Sequence, residues 1–279
     1  MKKKDNLINV EELISKINSN DLIIIDCRFN LKNKNYGLES YKKGHIPGAI
    51  FLNVETELSG AVKEHGGRHP LPEVISIYNI LKNKGIHPDF NIVVYDDGYL
   101  SGACRARLIL KYLGFKNIKI LNGGFNEYKK HSNVISYYEP TYLTKEFKIK
   151  RIEDMFVDVN YVKSNLHNKN IALIDCREPN RYEGIFEPVD LTKGHIPNAM
   201  NYFWKDVLDE FTGLIKTKKE LEIYFKNLKD FNEIILYCGS GITASVVSLA
   251  LDEIGINHLI YPGGFSDWIS YSENKVCIK

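Results

Sequence analysis

Short, mostly apolar runs recur along the chain. In the first half they fall at residues 22–26, 49–52, 91–95 and 117–121, and in the second at 172–175, 199–202, 233–237 and 258–261. Each is too short for a helix and most are rich in Ile, Val and Leu, which predicts strands buried on both faces. Between the third and fourth runs the periodicity changes. Leu108, Ile109, Leu110, Tyr112 and Leu113 stop at Gly114, and an apolar stretch over 244–253 stops at Gly255. Both predict helices closed by glycine. His87-Pro88-Asp89 is a turn signal that leads into the third run. Strands alternating with helices predict an α/β fold, with a mostly parallel sheet and helices on both faces in each half.

The two halves match in sequence as well as in pattern. Ile24-Ile25-Asp26-Cys27-Arg28 returns as Leu173-Ile174-Asp175-Cys176-Arg177, and Lys43-Gly44-His45-Ile46-Pro47 as Lys193-Gly194-His195-Ile196-Pro197. Gly123-Gly124-Phe125, with Tyr128, returns as Gly263-Gly264-Phe265 with Trp268. Three blocks in the same order, about 150 and then about 140 residues apart, indicate duplication of a whole domain rather than a solenoid repeat. The polar stretch around Pro140 has no counterpart. This predicts a first domain over 1–137, a linker over 138–152 and a second domain over 153–279.

Composition narrows the function classes. With 279 residues, 44% hydrophobic and 26% charged, the chain can bury two cores without staples. A net charge of +2 provides no field for nucleic acid. No stretch approaches a membrane span, and Lys2-Lys3-Lys4 is not followed by the apolar core of a secretory signal. The five cysteines are odd in number and form no C-x-x-C pair, which argues against a disulfide framework or a zinc site. A reducing, cytoplasmic setting is expected, with no metal and no organic cofactor.

One cysteine stands apart. The strand predicted over 233–237 runs into Cys238-Gly239-Ser240-Gly241-Ile242-Thr243, and a helix follows from Ala244. Ligands of such sheets gather beyond the carboxyl ends of the strands. Two glycines in a short strand-to-helix loop allow backbone N–H groups to converge as an anion nest, and the helix N-terminus adds partial positive charge. A cysteine at that mouth is expected to be a reactive thiolate. The first copy has Asp96 at the matching position and lacks the Gly-Ser-Gly sequence. It is therefore expected to form no such nest and to be inactive in the same reaction. Cys27 and Cys176 sit at duplicated strand ends and read as packing residues, and nothing marks Cys104 or Cys277. The duplicated Arg28 and Arg177, and His45 and His195, read as structural for the same reason.

These motifs resemble the tandem-domain rhodanese-type sulfurtransferases over nearly the whole chain. They are Asp-Cys-Arg and Gly-His-Ile-Pro in both halves, His69-Pro70-Leu71-Pro72, Tyr95-Asp96, and Gly-Gly-Phe-x-x-Trp at 263–268. The Cys-Gly-Ser-Gly-Ile-Thr-Ala loop resembles the variant typical of 3-mercaptopyruvate sulfurtransferases. The resemblance implies two rhodanese-like domains and a catalytic Cys238 that carries sulfane sulfur as a persulfide. The sulfur would pass from a small donor to a thiol, to cyanide or to a thioredoxin. It implies that Arg181 faces the donor anion and that Ser240 polarises the donor carbonyl. Ser240 would be oriented by His69 and by Glu55, both expected from the first domain. It further implies that Gly239, Gly241, Ile242 and Thr243 line the donor site and that Arg105 faces a cleft, a surface role for Arg105 being equally open. The family often has a second arginine after Glu-Pro, where this chain has Val189. A high KM for mercaptopyruvate, lowered by Val189→Arg, is the resulting expectation. Thiosulfate remains an alternative donor, and a non-catalytic interaction module remains an alternative class. A cysteine phosphatase is disfavoured, because Cys-x5-Arg would need arginine where Ala244 stands.

Overall fold

The computed structural model describes residues 5–278, so the Lys2-Lys3-Lys4 motif lies outside the described residues. The chain forms two compact units. The first runs to Gly60 and adds Leu71–Ile152 and Thr212–Leu214; the second comprises Ala61–Pro70, Glu153–Phe211 and the chain from Ile215 on. The polar stretch after residue 137 belongs to the first unit. It is tied there by the Tyr142 hydroxyl, which donates to the Gly48 carbonyl (2.9 Å), and by the Lys150 and Ile152 N–H groups, which donate to Leu113 and Tyr112.

In the first unit β1 (Leu7–Ile8), β2 (Leu22–Asp26), β3 (Ala49–Phe51), β4 (Asn91–Tyr95) and β5 (Ile118–Leu121) form a parallel sheet of order β1-β5-β4-β2-β3. Helices α1 (Val10–Lys16), α2 (Tyr36–Lys42), α3 (Val74–Asn83), α4 (Ser101–Tyr112) and α5 (Gly124–His131) intervene. Ile24, Val93 and Tyr95 share one core with Val10 and Leu13 of α1 and with Phe125 and Tyr128 of α5. Their strand neighbours Ile23, Ile25, Ile92 and Val94 are just as buried, as strands covered on both faces require. Asn9 caps α1 by accepting the Glu12 N–H (2.8 Å).

The second unit repeats this plan in shorter form. Strands β6 (Ile171–Asp175), β7 (Met200–Asn201), β8 (Glu233–Tyr237) and β9 (Leu259–Ile260) form a parallel sheet of order β7-β6-β8-β9. The helices are α6 (Val159–Asn165), α7 (Pro179–Tyr182), α8 (Lys218–Tyr224), α9 (Ala244–Ile254) and α10 (Gly264–Trp268). Asp158 caps α6 as Asn9 caps α1. The α9 helix ends at Gly255 in the left-handed conformation (φ 73°), as its sequence predicts. Among the described residues no helix is long and apolar enough to cross a membrane.

The duplicated blocks do the same structural work in both units. Arg28 pairs with Asp26 (2.7 Å), donates to the Gly44 carbonyl (2.8 Å) and lies over the Phe125 ring (4.4 Å). Arg177 pairs with Asp175 (2.6 Å), donates to the Gly194 carbonyl (2.6 Å) and lies over Phe265 (3.9 Å). His45 stacks on Tyr41 and His195 on Tyr182, each at 3.9 Å with Nδ1 on the tyrosine carbonyl. Each network ties the first strand of the motif to the Gly-His turn and to the Gly-Gly-Phe helix.

Candidate functional site

Strand β8 ends at Tyr237 and delivers Cys238 to the carboxyl edge of the second sheet. The chain then turns through residues 239–243 into α9. The Gly241 N–H points back at the Cys238 sulfur, with N to Sγ at 3.2 Å. That turn places Gly241 at φ +77°, where a side chain would also meet the Pro262 carbonyl oxygen at 2.4 Å. The loop is clamped from behind by α10. The Phe265 N–H donates to the Cys238 carbonyl (2.8 Å) and the Ser266 N–H to the Gly239 carbonyl (2.9 Å). Cys238, Ser240 and Ile242 are buried, and Thr243 is half-buried at the helix entry.

Ser240 meets His69: the hydroxyl and Nδ1 are 2.7 Å apart, and both residues are buried. His69 comes from the first half of the sequence, yet it belongs to the second unit, because residues 61–70 fold with that unit. The segment approaches closely through Gly66 and Gly67. The Gly66 N–H donates to Asp267 Oδ1 (2.7 Å), and a side chain on Gly67 would strike the Gly263 carbonyl oxygen at 2.3 Å. His65 stacks on Tyr271 at 3.9 Å, and the Arg68 N–H donates to Ser266 Oγ (3.2 Å).

Beside the loop lies a row of charges. Arg177 reaches Glu187 (3.3 Å), Glu187 accepts from Arg181 Nε (2.8 Å), Arg181 Nη2 donates to Asp190 (2.8 Å), and Asp190 pairs with Arg68. The Glu187 and Asp190 side chains are buried completely or nearly so, at 0% and 1% exposure. Buried carboxylates of this kind hold their arginines in fixed orientations. The forks of Arg68 and Arg181 converge on Gly239. A β-carbon there would lie 2.9 Å from Arg68 Nη2 and 3.5 and 3.7 Å from Arg181 Nη2 and Nη1. Burial, and then the like charge of Arg181, hold the Arg68 guanidinium below its ordinary pKa, while Cys238 acts in the opposite sense. The structure thus brings Cys238, Gly239, Ser240, Gly241, Arg181 and His69 together. It adds Arg68, Glu187 and Asp190, to which the sequence reading assigns no part. The only cue to Arg68 in the sequence is its place between Gly67 and His69.

The remaining candidates lie in the first unit. Glu55 is half-buried, with its N–H on Asn53 Oδ1 (2.9 Å). Arg105 is fully buried, its Nε donating to the Leu58 carbonyl (3.2 Å), so it has no surface placement. Asp96 brings a correction. The N–H groups of Gly98 (2.9 Å), Leu100 (2.9 Å), Gly102 (3.0 Å) and Ala103 (3.4 Å) all donate to its carboxylate. The first unit does form a nest, and Asp96 itself fills it. Convergence of N–H groups follows from the turn, with Gly98 and Leu100 at positive φ, and does not need the Gly-Ser-Gly order. Burial outweighs these four donors and pushes Asp96 up to about 6. Burial likewise raises the Cys27 and Cys176 thiols well above their ordinary value, which suits packing residues.

Comparison with known proteins agrees with this architecture. The model of the rhodanese-like domain matches twice, over residues 9–131 and 158–271. A probable 3-mercaptopyruvate sulfurtransferase of Pseudomonas aeruginosa is 32% identical over 270 residues, covering 95% of each chain. A putative thiosulfate sulfurtransferase of Mycobacterium tuberculosis, SseB, is 32% identical over 268 residues, covering 95% of this chain and 94% of its own. The crystal structure of the 3-mercaptopyruvate sulfurtransferase SseA from Escherichia coli superposes with a TM-score of 0.82 at 28% identity, covering 94% of this chain and all of that one. With a cysteine loop in the second unit and a carboxylate-filled loop in the first, the chain belongs to the rhodanese-like family and carries two copies of its domain.

Proposed function

We propose that the protein is a sulfurtransferase that moves sulfane sulfur from 3-mercaptopyruvate through a persulfide on Cys238. The observation that carries this reading is the Cys238 sulfur at the carboxyl edge of the sheet, facing the Gly241 N–H at 3.2 Å beside two arginine forks. In the first half-reaction the Cys238 thiolate attacks the donor sulfur. The S–S bond forms as the C–S bond breaks, and the electron pair moves onto the donor carbonyl as an enolate. Arg181 binds the donor carboxylate, and the Ser240 hydroxyl, paired with His69, stabilises the enolate oxygen and relays the proton that gives pyruvate. The loop residues Gly239, Gly241, Ile242 and Thr243 shape the site. The persulfide then loses its outer sulfur to an attacking thiolate or cyanide, and the Cys238 thiolate is regenerated.

In this reading the first unit does not turn over, because the Asp96 carboxylate occupies its nest. Roles for Glu55 and Arg105 rest on family resemblance, and kcat/KM of Glu55→Gln and Arg105→Ala tests them. We place the reaction in the reducing cytoplasm, in keeping with five unpaired cysteines, with a small thiol, cyanide or a thioredoxin as acceptor. A second reading takes thiosulfate as the donor, since the mycobacterial relative of equal identity carries that name. Intact mass decides. Incubation with mercaptopyruvate should add one sulfur, about +32 Da, at Cys238, and cyanide should remove it. Loading by thiosulfate alone favours the second reading, and loading by neither donor overturns sulfur transfer.

A further inference from the structure

Arg68 presents an unusual combination. Its Nη1 is neutralised by Asp190, yet Nε is buried and has no hydrogen-bond acceptor among the described residues. Its Nη2 reaches the space over Gly239, the residue next to Cys238, where Arg181 Nη1 also arrives. The like charges of the two guanidiniums repel, and the buried Glu187 and Asp190 pair with Nε and Nη2 of Arg181 and with Nη1 of Arg68. Donors left over on both forks therefore face the same small volume. Planar forks of this kind bind carboxylates through parallel N–H···O bonds, which a point charge cannot imitate.

We propose that Arg68 is a second donor-binding arginine, which closes with Arg181 on the carboxylate of the sulfur donor beside Cys238. The inference deepens the function proposed above and rests on it for the identity of the donor. The charge balance also bears on selectivity. Arg68, Arg181 and Arg177 face Asp190, Glu187 and Asp175 one for one, so these pairs leave no surplus positive charge. The cluster attracts an anion through directed N–H groups, not through surplus charge, and that favours a singly charged carboxylate over a dianion such as thiosulfate. The expectation attached to Val189 changes as well. With Arg68 already supplying the second fork, Val189→Arg lowers no KM.

The experiment separates donor binding from turnover. Pyruvate, a sulfur-free carboxylate, is titrated as a protectant of Cys238 against iodoacetamide, and modification is read by peptide mass. Wild type is compared with Arg68→Gln, Arg181→Gln and Arg68→Lys. Loss of one charge-assisted fork should raise the half-protecting concentration roughly ten- to a hundredfold in both glutamine variants. Arg68→Lys keeps the charge without the fork and should lose at least about threefold. It also carries the test if Arg68→Gln melts early. Protection of Arg68→Gln or Arg68→Lys at the wild-type concentration overturns the assignment, as does the absence of any protection in wild type. In steady state, Arg68→Gln should raise KM for mercaptopyruvate. If pyruvate protection depends on Arg68 but mercaptopyruvate never adds sulfur, the sulfur-transfer reading fails and the arginine pair stands.

Discussion

Gly241→Ala probes the link between loop geometry and chemistry most directly. Two costs can be worked from the structure. Holding alanine at φ +77° costs about 1–2 kcal/mol. Its methyl would also lie 2.4 Å from the Pro262 carbonyl oxygen, a backbone atom, and relief to ordinary contact needs a shift of about 1 Å. The Gly241 N–H is 3.2 Å from the Cys238 sulfur, and a shift of that size removes it as a donor. A hydrogen bond to a charged group is worth about 1.5–3 kcal/mol, so persulfide loading should slow roughly ten- to a hundredfold. Strain alone should lower Tm by roughly 2–8 °C. Gly239→Ala is the contrasting variant. Its methyl meets side-chain ends and no backbone, Arg68 Nη2 at 2.9 Å and Arg181 Nη2 and Nη1 at 3.5 and 3.7 Å, so it should fold normally and weaken donor binding instead. The assay is single-turnover loading with mercaptopyruvate, quenched and read by intact mass, beside a thermal melt of each variant. Loading of Gly241→Ala within threefold of wild type, at unchanged Tm, would refute the reasoning.

Cys238→Ser should fold normally and lose turnover with every donor, whereas Cys27→Ser, Cys104→Ser and Cys277→Ser stay active in a cyanide assay; appreciable activity in Cys238→Ser would remove the persulfide from the mechanism. Asp96 sets a pH dependence. Its pKa is raised from an ordinary 3.8 to about 6, so its contribution to stability is fully present below 3.8 and is lost as pH rises through about 6. That shift is worth about 3 kcal/mol, so the stability of wild type relative to Asp96→Asn should fall by about that much between pH 4 and pH 7 in urea unfolding. A difference flat with pH would contradict the burial argument.

The legible and illegible parts of this protein differ in physical kind. Strands β2, β4 and β8 are readable to the residue, because a central parallel strand buried on both faces needs an unbroken apolar run. The edge strands are not. β1 has two residues and β7 has two, and a short ladder asks little of its sequence. The Cys238 loop is readable because its chemistry is local: a strand end, glycines and a helix start are contiguous in the chain. The carboxylate-filled loop of the first unit misleads for the same reason, since the turn that gathers its N–H groups is built from Gly98 and Leu100 and matches no familiar word. The largest gap concerns residues 61–70. They carry no periodic pattern, and their assignment to the second unit depends on two glycines that permit backbone approach to Gly263 and Asp267. That docking brings His69 to Ser240 and Arg68 to Gly239 at once. A sequence reader who aligns the halves block by block looks for the second arginine after Glu187-Pro188, finds Val189 and infers a weakened site. In the folded unit Asp190, the next residue, recruits an arginine from 122 positions earlier. A missing side chain in a motif thus predicts a missing interaction only when no other segment can bring the same group to the same place.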